Sequence, residues 1–164
     1  MKRLLAAVGI VLMLAAGQAA ANIIFTFSGA TLSDGGSLTG TFETDDTATN
    51  LIDYDILTSG GVLTGFNYTP ATANSLSSLP FILVLEPASA DPILQVTFDG
   101  GLTPLGAMIL IGQFDSFEQV GTQKRPILAG SVAPVPTVPE PGTLLLLGAA
   151  IIGAVVLRRR HQRK

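Results

Sequence analysis

Hydrophobic and polar residues alternate with period two at several places in the middle of the chain. Leu38-Thr39-Gly40-Thr41-Phe42 sends Leu38 and Phe42 to one side and Thr39 and Thr41 to the other. Ile52-Asp53-Tyr54-Asp55-Ile56 repeats the pattern, which predicts Ile52, Tyr54 and Ile56 in a core and Asp53 and Asp55 on a wet face. Ile24-Phe25-Thr26-Phe27 opens a strand. Further runs lie at Val62–Tyr68, Pro80–Leu85, Ile93–Phe98, Ala107–Phe114 and Ile127–Val132. They recur at roughly ten-residue spacing, a strand-and-turn rhythm. Gly35-Gly36, Gly60-Gly61, Gly100-Gly101 and the polar stretch Asp45 to Asn50 punctuate them. No stretch of the middle keeps a helical period. The expected fold is mainly β, an antiparallel sandwich-like or barrel-like sheet.

Two apolar segments break this rhythm. Met1-Lys2-Arg3 precedes the apolar run Leu4 to Ala16, and Gly17-Gln18-Ala19-Ala20-Ala21 follows it. A basic start, a short apolar core and an Ala-x-Ala site at Ala19 and Ala21 predict a signal peptide over 1–21, with Asn22 as the first mature residue. Lys2-Arg3 is not a twin-arginine signal. At the other end, Ala133-Pro134-Val135-Pro136-Thr137-Val138 alternates with proline and reads as a linker over 133–138. Pro139-Glu140-Pro141 follows, then the uncharged run Gly142 to Leu157, then Arg158-Arg159-Arg160-His161-Gln162-Arg163-Lys164. The run is shorter than the roughly 20 residues a membrane helix prefers. Snorkelling arginines offset the mismatch, so one transmembrane helix is expected over about 142–157. The basic end 158–164, led by Arg158, Arg159 and Arg160, should stay in the cytoplasm. Residues 22–132 are then an exported β-rich domain, and the two ends agree on topology.

Charge sharpens this division. Seven of the nine Lys and Arg lie in the terminal segments, leaving Lys124 and Arg125 against eleven Asp and Glu in the middle. So acidic a domain lacks the cations that displace counterions from nucleic acid. There is no cysteine, hence neither a disulfide nor the lipid-anchored export route. The one histidine, His161, sits in the basic tail. That removes Ser-His-Asp and cysteine nucleophiles and His-ligated metals from the middle domain.

Val138-Pro139-Glu140-Pro141-Gly142-Thr143, a Leu-rich segment containing Gly148 and Gly153, and Arg158-Arg159-Arg160 occur in that order. This arrangement closely resembles the PEP-CTERM sorting domain. The resemblance implies an exosortase partner, a membrane-embedded cysteine-protease-like transpeptidase. It also implies passage across the inner membrane of a Gram-negative bacterium, a membrane-anchored precursor, and delivery to the cell surface or exopolysaccharide matrix. Pro139, Glu140 and Pro141 would be the sorting motif.

Within the domain, carboxylates are the remaining chemistry. Asp53 and Asp55 share a predicted face and could join Asp45 and Asp46 in a weak calcium site, since hard cations take oxygen ligands. The plainer reading is a solvated face. One internal echo, Gly36-Ser37-Leu38-Thr39-Gly40 and Gly61-Val62-Leu63-Thr64-Gly65, reads as two strands with similar turn chemistry. The expectation is a non-enzymatic surface or matrix protein without a cofactor. The alternative is a secreted calcium- or glycan-binding β module.

Overall fold

The structure, a computed structural model, describes residues 22–112 and 114–136. The signal segment 1–21 and the membrane helix expected at 142–157 lie outside these residues. Among the described residues no helix is long and apolar enough to cross a membrane.

Among the described residues ten strands follow one another: β1 (Ile23–Leu32), β2 (Ser37–Thr44), β3 (Leu51–Ser59), β4 (Asn67–Tyr68), β5 (Asn74–Ser75), β6 (Ile82–Glu86), β7 (Ile93–Thr97), β8 (Ala107–Met108), β9 (Phe117–Val120) and β10 (Gln123–Pro134). All pairings are antiparallel, in the order β4-β3-β2-β1-β10-β9-β7-β6-β5, with β8 also on β10. The mainly β, antiparallel expectation holds. The two faces of the expected sandwich belong to one curled sheet, because β10 serves both halves. Gln123–Pro126 pairs with β9, while the stretch from Ile127 to Pro134 pairs with β1. The sheet's outermost strands, β4 and β5, are consecutive in the chain. Only residues 69–73 separate them, so the sheet must curl until its edges lie within about 20 Å of each other. Tyr54 Oη donates to Ala73 O at 2.5 Å across that gap.

The core is one cluster enclosed by the curl. Phe25 and Phe42 stack at 5.2 Å, Phe27 tilts against Phe42 at 5.7 Å, and Phe42 meets Phe98 from the other half at 6.1 Å. Offset aromatic pairs of this kind add to area burial. Alternation along β1 puts Phe25 and Phe27 inside, then Ala30 and Leu32. The change of phase falls at Gly29, where the register to both neighbours shifts and φ is +62°. Such a bulge needs a residue at ease in the left-handed region.

Other departures from the alternation have similar causes. Leu38 and Phe42 are buried as expected, and so are Tyr54 and Ile56. Ile52 is not: it is 50% exposed. The β2–β3 register shifts between Glu43↔Asp53 and Thr44↔Leu51, so Ile52 is the extra residue of a bulge and is turned outward. Val62–Tyr68 yields only the two-residue β4, and Ala107–Phe114 only β8, because turns and isolated bridges take up the rest. β5 and β9 fall outside the predicted runs. β10 begins earlier than Ile127 and continues through Ala133 and Pro134, which pair with Thr26 and Phe25.

Candidate functional site

The tail leaves the domain from the middle of the sheet. β10 lies between β1 and β9, and its last residues run beside the first residues of β1. Phe25 faces Pro134, and Val135 N donates to Ile24 O at 2.7 Å. The first mature residue expected from the sequence, Asn22, and the exit to the sorting segment are therefore neighbours at one end of the fold. The ladder continues to Val135, and Pro139 comes four positions later. Pro139, Glu140, Pro141, Arg158, Arg159 and Arg160 lie outside the described residues, as do Ala19 and Ala21.

Of the carboxylates weighed for calcium, Asp45, Asp46 and Asp53 are at this end and Asp55 is midway along β3, across from Thr41, and the fold does not gather them into a cage. Asp45 is turned into its own loop. Its Oδ1 accepts from Thr49 N at 2.7 Å and Asn50 N at 3.2 Å, and its Oδ2 from Thr49 Oγ1 at 3.0 Å and Asn50 Nδ2 at 2.6 Å. The Thr49 backbone bond leads in holding this carboxyl well below the usual carboxylate range, aided by Asn50 and opposed by desolvation. Asp46 is exposed beside it. Asp53 Oδ1 accepts from Tyr54 N at 2.9 Å. Glu43 lies directly across from Asp53, and its Oε1 accepts from Asn22 Nδ2 at 2.6 Å. Ile24, Thr41, Glu43, Asp53 and Asp55 line a shallow groove of about 200 Å³ on the outer face. Among the described residues no three acidic or histidine side chains are placed to hold a metal ion together.

The chemically densest place is at the opposite end and was not singled out from the sequence. Arg125, 1% exposed, sits between two acids. Its Nε donates to Glu118 Oε2 at 2.5 Å, and Nη2 lies against the same oxygen. Its Nη1 donates to Asp34 Oδ2 at 3.0 Å, to Gly60 O at 3.1 Å and to Leu63 O at 3.2 Å. Glu118 Oε1 accepts from Thr58 Oγ1 at 2.6 Å and from Tyr68 Oη at 2.7 Å. Asp34 also receives Gly36 N, Val62 N and Leu63 N. Burial pushes the Asp34 carboxyl up, but the Leu63 and Gly36 amides and the guanidinium outweigh it and hold it at about 2. Burial and then Glu118 push the Tyr68 phenol far above its ordinary value.

This network joins the β1–β2 turn, the loop after β3, β4 and the β9–β10 hairpin. The internal echo is not two strands: Ser37–Gly40 belongs to β2, whereas 61–65 lies in the loop between β3 and β4. A Cβ on Gly36 would press on Ser59 O and Gly60 O at 3.0 Å and on Arg125 Nη1 at 3.1 Å, and a Cβ on Gly61 would collide with the Asp34 carboxylate, so both leading glycines border the ion pair. With both Glu118 oxygens engaged and no access for water, the arrangement orders the fold and offers no free acid or base. The lone Lys124-Arg125 pair in an acidic domain is the one signal that could have marked it.

Comparison with known proteins bears on the exit end. Residues 137–160 match the model of the PEP-CTERM protein-sorting motif, a span that includes Pro139-Glu140-Pro141 and Arg158–Arg160. No curated protein and no solved structure matches the chain. The chain thus carries, immediately behind its last strand, the PEP-CTERM sorting motif of exported proteins that an exosortase processes.

Proposed function

We propose that the protein is a non-enzymatic surface or extracellular-matrix protein, exported by a signal peptide removed after Ala21. The run 142–157 holds the precursor in the inner membrane with Arg158–Arg160 on the cytoplasmic side. Exosortase acting on Pro139-Glu140-Pro141 then passes the β domain to the surface, among exopolysaccharide. The observation that carries this reading is the sorting-motif match starting three residues after β10 ends. The fold suits it, because every strand of the described residues ends before the motif begins. Proline fixes φ and gives up a backbone donor, which disfavours helix at Pro139 and Pro141, and Glu140 is the one charge between linker and arginines.

The test is to express wild type, Glu140→Ala and Pro141→Ala in an exosortase-competent host and its exosortase-deleted sibling. Wild type should be processed only in the competent host, and both variants should remain unprocessed yet membrane-inserted. Equal processing of all three in both hosts would reduce the tail to an ordinary anchor. A second reading, a glycan-binding module, has the Ile24–Thr41–Glu43–Asp53–Asp55 groove in its favour. Titration with the host's exopolysaccharide, wild type against Asp53→Ala, tests it. Identical binding curves would dismiss the groove.

A further inference from the structure

The end of the fold where the chain exits has two unlike corners. On one side of β1 lies the β2–β3 corner: Ile23 pairs with Thr44, so Glu43, Asp45, Asp46 and Asp53 lie beside the first residues of β1. On the far side of β10 lies β8. Ala107 pairs with Val132 in an antiparallel register, so the residues before Ala107 extend in the direction in which β10 leaves the domain. Those residues form the turn Thr103-Pro104-Leu105-Gly106. Leu105 at its apex is 88% exposed, and Met108 just behind it is 61% exposed.

This apex is held outward. Gly106 N donates to Thr103 O at 2.8 Å, and Thr103 Oγ1 donates to Gly106 O at 2.9 Å. Gly106, at φ +102°, lies so close to Val132 O that a Cβ there would collide with it. Leu105 therefore cannot fold back onto the core without breaking the turn. Asp34-Gly35 and Gly121-Thr122, the turns at the opposite end of β1 and β10, carry polar residues and glycine, and at the exit end the Asp45–Asn50 loop buries its one apolar residue, Ala48. The turn at Leu105 presents Pro-Leu.

Chain length says what lies below it. From Pro136 to Gly142, the first residue of the apolar run, there are six peptide steps, about 20 Å at full stretch. The twelve residues of β10 alone span about 40 Å. While the run is in the membrane, the exit end is the end kept close to lipid. We infer that the Leu105 corner rests in the headgroup–acyl boundary of the bilayer in the membrane-attached form, with the acidic β2–β3 corner turned to water. This rests on the reading above that 142–157 inserts. The tail supplies the anchoring. Leu105 and Met108 set the orientation, because apolar surface favours the boundary while anionic headgroups repel Glu43, Asp45, Asp46 and Asp53. The domain then stands tilted about its exit point, presenting the linker side to a membrane-embedded enzyme.

The chain has no cysteine, so single labels are clean. The full-length protein with Leu105→Cys, Asp46→Cys or Thr122→Cys is labelled with an environment-sensitive fluorophore and reconstituted into phosphatidylethanolamine–phosphatidylglycerol vesicles carrying a nitroxide lipid. All three should float with the vesicles. The label at 105 should be blue-shifted and quenched several-fold more than the labels at 46, at the same end, and at 122, at the opposite end. Adding Leu105→Asp to a Met108→Cys chain should lower the quenching at 108, a check that the dye itself does not drive insertion. Flotation with equal quenching at 105 and 46, or no effect of Leu105→Asp at 108, overturns the inference and leaves the membrane reading standing. Failure to float overturns both.

Discussion

The two ends of the curled sheet are closed by different means. The end away from the termini is fastened by side chains: Arg125 reaches Glu118, Asp34 and two carbonyls, and Thr58 and Tyr68 complete Glu118. The end where the chain enters and leaves is fastened by backbone, Phe25 opposite Pro134 and Val135 bonded to Ile24, and its carboxylates bond only within their own loop or to immediate neighbours. The first closure depends on particular side chains in a buried network, the second on main-chain pairing of β1 with β10. Under the proposed function, in which residues on either side of the domain are cut away, a clasp at the opposite end is independent of what is removed.

The largest effect should come from breaking the clasp. Arg125→Ala leaves Glu118 buried without its counter-charge and should cost about 3–5 kcal/mol, read by thermal or urea unfolding. Replacing both partners, Arg125→Met with Glu118→Leu, should recover most of that loss, since a well-packed apolar pair often matches a buried ion pair. Tyr68→Phe removes one donor of several to Glu118 and should cost about 1 kcal/mol.

A smaller effect should appear on acidification. The Asp34 carboxyl is lowered from 3.8 to about 2 in the folded protein. Its stabilisation is therefore present above pH 4 and is lost as pH falls from about 4 towards 2. Asp34→Asn should flatten that part of the stability–pH curve. Asp45, at the other end, is lowered too, so Asp45→Asn should flatten a further part. At the exit end Glu43→Gln, with an exposed partner in Asn22, should change stability by less than about 0.5 kcal/mol. A Glu43→Gln effect matching that of Arg125→Ala would erase the distinction between the ends.

The strand faces were more legible in the sequence than the buried clasp, for a physical reason. Period-two patterning reports which face of a strand is wet, and it placed Leu38, Phe42, Tyr54 and Ile56 inside. It cannot report a bulge, so Ile52 was assigned inward and the change of phase at Gly29 passed unseen. β9 has no period-two signature because Phe117 and Glu118 are buried on successive positions, one under the Lys124 ammonium at 3.8 Å and one in the ion pair. A carboxylate made internal by an arginine seven residues away, itself bound to an aspartate ninety-one residues from the arginine, has no local signature. The sorting segment could be read because its three parts are defined by their linear order along the chain: Pro139-Glu140-Pro141, an apolar run and a basic cluster.

The proposed function requires the chain to be cut both before Asn22 and beyond Val135, on either side of the β domain. Intact-mass measurement of the protein recovered from the surface of exosortase-competent cells, beside the protein from their exosortase-deleted sibling, tests this most directly. The account predicts a surface form that begins at or near Asn22 and has lost Arg158–Arg160 with the apolar run, and an exosortase-deleted form that begins at Asn22 but keeps them. Recovery of Met1, or of the full tail from both hosts, would contradict it.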